Sequence, residues 1–137
     1  MLDKLDAIKV QVDGHGKSLV SANPAITFFC LATVDGRSIS FVTPLGDLIG
    51  VHISAITSSM LALCESFSKE ALRSRSQYSL TSSEHGVIVV VRVPCKTKAF
   101  VVSLATDSSE SAAMALRLAL DSATAVGKLI DASAKTV

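Results

Sequence analysis

Ile26-Thr-Phe-Phe-Cys-Leu-Ala-Thr-Val-Asp-Gly-Arg-Ser-Ile-Ser-Phe-Val-Thr43 is the stretch that decides the fold. Two runs of β-branched and aromatic residues meet at Asp35-Gly36. A tight primed turn needs residues that tolerate positive φ, so Asp-Gly between such runs is a strong hairpin signal. Strands are predicted over 26–34 and 37–43. Pro44-Leu-Gly46 marks the exit from the second strand, and helical spacing then holds from about 47 to 73, with Asp47 as the candidate cap.

Within that helix Ile49, Ile53, Ile56, Met60, Leu63 and Phe67 recur in alternating steps of four and three. They form a continuous apolar stripe, expected to pack on the sheet. A second stripe, one residue earlier in phase, reads Ala55, Ser59, Ala62 and Ser66. Side chains this small let another backbone come close, so a second helix is expected against this face. The bland alternative is that Ala and Ser simply fill a half-exposed surface.

Outward from the hairpin and helix, the pattern is simpler. Period-two alternation returns in Gln77-Tyr-Ser-Leu-Thr-Ser-Ser83, with Tyr78 and Leu80 on one face. This is the most polar strand and is expected at an edge, where unpaired backbone groups invite another chain. Glu84-His85-Gly86 turns into an apolar run over 87–93, and Pro94-Cys-Lys-Thr97 turns into a strand over 98–105 in which Phe100, Val102 and Leu104 share a face. The three strands read as an antiparallel meander. Asp107-Ser-Ser-Glu110 resembles a capping box with Asp in the cap position. The helix it opens is expected to reach about residue 132, with Leu116, Leu120, Ala123, Gly127 and Ile130 facing inward. At the other end Leu2, Leu5, Ile8 and Val12 define a short helix over 2–12, stopped by Asp13-Gly14 and followed by a loop to Pro24. The expected order is α-β-β-α-β-β-β-α. This is an α+β fold in one domain over 1–137: a five-stranded antiparallel sheet with the long central helix on one face and the N- and C-terminal helices on the other.

Composition narrows the function classes. The chain has 137 residues, 49% hydrophobic and 18% charged, with a mean hydropathy of +0.49. A membrane span needs about 20 consecutive apolar residues, and no such run exists. Extra surface buried against another chain therefore accounts better for the greasiness, and no membrane insertion is expected. A formal net charge of +1 and an aromatic content of 4% without Trp give no case for nucleic acid. Lys69, Arg73 and Arg75 form the only local basic cluster, at a helix end where the dipole favours cations. Cys30, Cys64 and Cys95 are odd in number, far apart and unaccompanied by a signal-peptide pattern, so reduced thiols in a cytoplasmic protein are the expectation.

No catalytic constellation emerges. Gly16-Lys17-Ser18 matches the end of a phosphate-binding loop, but the glycine required at position 11 is Gln and a helix precedes it. His15, His52 and His85 are too dispersed to suggest a metal set. Cys30 and Cys64 lie in apolar runs, where cysteine behaves as a small inert hydrophobe. Asp35 is explained by its turn. Catalytic, cofactor-binding and metal-binding residues are all predicted to be none.

Leu31-Ala-Thr-Val-Asp-Gly36 with Ile39, His52-Ile-Ser-Ala-Ile-Thr-Ser-Ser-Met-Leu-Ala-Leu63, Glu84-His-Gly-Val-Ile-Val-Val-Val-Arg-Val93 and the closing Ala/Leu-rich helix together resemble the roadblock/LC7 domain family. The resemblance runs from Leu2 to Ile130. The Ser-Ser-Met-Leu-Ala-Leu block and the His-Gly before a valine run are similar to the bacterial members. No single motif is diagnostic; their order and spacing carry the likeness. The resemblance implies a scaffold: these domains dimerise through the long central helix and the third strand, here 47–73 and 77–83. Bacterial relatives commonly partner Ras-like small GTPases, and some accelerate GTP hydrolysis by repositioning the GTPase's own residues.

The expected dimer interface is therefore Ala55, Ser59, Ala62, Ser66, Tyr78 and Leu80. The expected partner-binding positions are Ser54, Thr57 and Ser58, taken as exposed on the paired helices. The leading functional expectation is a non-catalytic homodimeric regulator of a Ras-like GTPase. A structural subunit without a GTPase partner is the alternative, and a small-molecule sensor or enzyme is the third.

Overall fold

In the computed structural model, which describes residues 2–135, the quoted stretch is a hairpin. β1 (Ile26–Thr33) pairs antiparallel with β2 (Ser38–Val42). The connection is four residues long, 34–37, instead of two. Thr33 donates its N–H to the Arg37 carbonyl at 2.9 Å, and Gly36 donates to the Thr33 carbonyl at 3.0 Å. Gly36 sits at φ 101°, where only glycine is at ease. The Thr33 hydroxyl ties the turn further, accepting the Arg37 N–H at 2.9 Å and donating to Asp35.

The element order is α1 (Leu2–Ala22), β1, β2, α2 (Gly50–Leu72), β3 (Ser79–Ser83), β4 (Gly86–Arg92), β5 (Phe100–Asp107) and α3 (Ala112–Lys135). The five strands form one antiparallel sheet in the order β2-β1-β5-β4-β3. β5 is central, and every residue in it but Asp107 is buried. Strand alternation then sorts the core. Phe29, Leu31, Val91 and Val102 face α1 and α3, together with Ile8, Val12, Val126 and Ile130. Phe28, Cys30, Ala32, Val90, Val101 and Ala105 face α2, which supplies Leu61.

Several local expectations are corrected. α1 does not stop at Gly14 but continues to Ala22. Gly16 is buried beneath Phe29 and Val42, so close that a Cβ would stand 2.8 Å from the Phe29 ring; Leu19 and Val20 also pack on the sheet. Tertiary burial outweighs the helix penalty of two glycines, about 1 kcal/mol each. The stop comes at Asn23, whose side-chain amide donates to the Leu19 carbonyl at 2.9 Å, just before Pro24. The side chain of Leu2, predicted to share this helix's apolar face, lies outside those described.

Neither predicted acidic cap acts as one. α2 starts at Gly50 with Ile49 as its uncapped N-cap residue, and Phe41 packs where a Gly50 Cβ would stand. Asp107 ends β5 and accepts from Ser109 instead, while the Ser111 hydroxyl accepts the Met114 N–H at 3.1 Å, the real cap of α3. On α3 the inward line is Ala115, Ala119, Ala123, Val126 and Ile130, with Gly127 also buried, whereas Leu120 is exposed.

The largest correction concerns α2, whose apolar stripe does not pack on the sheet. Ile49, Ile56, Leu63 and Phe67 are 53%, 60%, 67% and 75% exposed, and only Ile53 and Met60 are half-buried. Ser54, Thr57, Ser58 and Leu61 are the buried residues of this helix. The sheet beneath explains why. At its centre it offers Cys30 and Ser103, and these hydrogen-bond with Ser54 (3.3 Å) and Thr57 (2.8 Å) respectively. A hydroxyl-bearing helix face meets a hydroxyl- and thiol-bearing strand face, and each group finds a partner.

Candidate protein interface

The inverted mounting of α2 creates the principal surface feature. Its outer face carries Ile49, Ile56, Leu63 and Phe67, all exposed. Ala55, Ser59, Ala62 and Ser66, predicted for a close helix contact, are exposed beside that stripe. Scattered exposed hydrophobics are ordinary, but a continuous row along one helix marks an interaction surface.

Ser54, Thr57 and Ser58 cannot serve as the exposed contact positions expected of them. They are 0%, 3% and 8% exposed, held between α2 and the sheet. The Ser58 hydroxyl donates to the Ala55 carbonyl at 3.0 Å, and its oxygen lies 3.2 Å from where a Gly36 Cβ would stand. The hairpin turn is thus seated against α2.

β3 is an edge strand bonded only to β4. Its side chains divide between the faces. Leu80 pairs with Val89, which belongs to the α3 side, while Ser79 pairs with Val90, beneath α2. Leu80, 37% exposed, therefore lies on the face away from α2, while Tyr78, 41% exposed, precedes the strand. What β3 shares with α2 is a side of the molecule, where its outer row of backbone N–H and C=O groups has no strand partner among the described residues.

α2 is anchored at its C-terminal half by Glu65. Arg92 of β4 donates to both carboxylate oxygens, Nε at 2.9 Å and Nη2 at 2.7 Å, a bidentate fork. These hydrogen bonds hold the Glu65 carboxyl below its usual range and raise Arg92. Both groups are about a third exposed, so solvent screening keeps the contribution modest.

The residues weighed for chemistry are dispersed. Gly16-Lys17-Ser18 lies inside α1, where its amides belong to the helix. His15 lies between α1 and α3, its Nε2 2.8 Å from the Ser122 hydroxyl and its ring edge-on to Phe29. His52 is on α2 and His85 in the β3–β4 turn. No group of three His, Cys, Asp or Glu among the described residues is placed to hold a metal ion. Burial pushes the Cys30 thiol up, away from the reactive thiolate. Asp35 is held low by the Thr33 hydroxyl, as a turn residue. No helix among the described residues is long and apolar enough to cross a membrane.

Comparison with known proteins decides the fold. No family sequence model and no curated protein matches the chain, but solved structures do. Myxococcus xanthus MglB superposes with a TM-score of 0.78 at 11% identity, covering 91% of each chain. A roadblock/LC7 domain from Streptomyces avermitilis superposes at 0.72 with 16% identity, over 83% of this chain and 92% of that one. The chain has the roadblock/LC7 fold. A further MglB structure, described as having a tetrameric arrangement, superposes at 0.77 with 12% identity over 93% of each chain.

The sequence pattern identifies the long central helix but turns the wrong side of it to the sheet. The signal it misses lies in β5. Val101, Ser103 and Ala105 share the strand face beneath α2, and the serine at its centre calls for a polar partner above it. That requirement selects the Ser54/Thr57 phase of α2 and turns Ile56, Leu63 and Phe67 outward.

Proposed function

We propose that this chain is a homodimeric, non-catalytic regulator that binds a Ras-like small GTPase across its paired central helices. The observation that carries the reading is the exposed apolar row on α2. Two copies bury it by laying their α2 helices together, while the free edges of β3 join the two sheets. Ala55, Ser59, Ala62 and Ser66 then flank the stripe where the helix backbones approach. The roadblock proteins that the sequence resembles pair through these elements and present the paired helices to GTPases. The fold shared with MglB supports this reading. In this arrangement the chain supplies no group to the hydrolysis; it acts by holding the GTPase's own residues.

The test is a native pull-down from the source cell in the presence of a GTP analogue or of GDP, read by mass spectrometry. Enrichment of a Ras-like GTPase in one nucleotide state is the expected result, and hydrolysis assays then measure activation. A stoichiometric complex containing no GTPase in either state overturns the reading and makes the chain a structural subunit.

A further inference from the structure

We propose that the groove between the C-terminal end of α2 and the β4–β5 turn is a docking site for an acidic polypeptide segment of a partner protein. The inference rests on this groove alone and stands apart from the GTPase reading. The groove encloses about 920 Å3, at the upper end of the roughly 300–1,000 Å3 typical of ligand sites. Lys69, Arg73, Arg75, Arg92, Lys96 and Lys98 line it. Six of the thirteen cationic residues in a chain of net charge +1 thus surround one concavity, against only two of its twelve acids.

Both of those acids are already engaged. Glu65 is bound by Arg92, and an oxygen of Asp131 accepts the Lys96 backbone N–H at 3.1 Å. The other five cations have no ion-pair partner among the described residues. The helix dipole does not account for them. It places about half a negative charge at the end of α2, which one cation offsets. The backbone adds a second observation. Arg73 and Lys98, the two non-glycine residues with positive φ among those described, at 52° and 53°, both stand in this groove. Long cationic side chains occupy left-handed positions that glycine or asparagine would fill with less strain.

Shape and lining select the ligand class. The cations come from separate elements and face one another across a concavity, so an extended chain can lie between them while a flat bilayer reaches only the rim. No aromatic side chain lines the groove, so a nucleic acid finds no stacking surface. Spaced carboxylates on a peptide match spaced guanidinium and ammonium groups, with arginine able to bind each carboxylate through two hydrogen bonds.

The experiment uses the full chain and a fluorescein-labelled hexaglutamate peptide, read by anisotropy at low and high salt. Saturable binding that weakens with salt is expected. The paired substitution Arg75→Glu and Lys96→Glu should weaken it about tenfold, while Lys17→Glu with Arg37→Glu, an equal charge change elsewhere, should leave it within about twofold. On the unsubstituted protein, amide shifts during titration should concentrate at 69–77 and 92–98. Absence of saturable binding, equal loss in both double variants, or shifts centred elsewhere overturns the proposal. So does binding to phosphatidylserine vesicles, lost with Arg75→Glu and Lys96→Glu, when the peptide itself does not bind.

Discussion

Gly14 and Gly127 both sit inside helices, yet a methyl group would meet opposite surroundings at the two positions. At Gly14 nothing lies within 4 Å of the added Cβ; at Gly127 the Pro94 carbonyl oxygen lies 2.5 Å away. Gly14→Ala should raise the unfolding free energy by about 0.5–1 kcal/mol through the unfolded chain and helix propensity. Gly127→Ala should lower it by about 1–3 kcal/mol, because a backbone oxygen cannot rotate aside. Urea titrations of the two variants test both signs. The same pair shows what a lone sequence conceals. Gly14 reads as a helix stop because propensity is local, and only the burial of Gly16, Leu19 and Val20 on the sheet carries the helix past it. His15, one residue on, supplies a pH dependence. Burial lowers its pKa below the ordinary 6.5, so between 6.5 and the folded value the unfolded chain binds more protons. Stability should therefore fall as pH drops through that window and be fully present above it. His15→Gln should flatten that part of a plot of urea midpoint against pH; an unchanged slope would refute the assignment.

Among the elements, α2 is the one whose mounting departs most from its pattern. Thr57 and Ser103 share a buried hydrogen bond of 2.8 Å between helix and strand. Thr57→Val alone removes the Ser103 hydroxyl's partner on the helix and should cost about 1–3 kcal/mol. Adding Ser103→Ala should recover much of that loss, since removing both partners leaves nothing unsatisfied. A double-mutant cycle from denaturant unfolding measures the coupling, and simple additivity would mean that the hydroxyls do not depend on each other. The helix itself, the hairpin, the meander and the polar edge strand are all legible from periodicity and turn chemistry. The side that α2 turns to the sheet is not. A stripe of Ile, Leu and Phe is the default core face, and nothing local reveals that the opposing strands carry Cys30 and Ser103. That information lies in two separate strands, and it becomes a constraint only once the sheet brings them together.

For the whole molecule, the outward stripe sets the energetics of the proposed pairing. Fully burying a side chain such as Ile56, Leu63 or Phe67 is worth about 1.5–3 kcal/mol. Several from each of two copies yield a total of the same order as the roughly 4–15 kcal/mol cost of association. Phe67→Glu and Ala62→Glu should each convert a dimer to a monomer in light-scattering measurements, with helix content unchanged because both side chains are exposed in the single copy. Dimers persisting in both variants would place the contact elsewhere. The mounting of α2 has one more consequence. Its inner positions answer to the sheet and its outer positions answer to whatever lies against it, so the two sets are under separate constraints. Substitutions along Ile49, Ile56, Leu63 and Phe67 can redirect which chain is recognised without disturbing how this one folds. If α2 pairs as proposed, the choice of partner and the architecture can change independently.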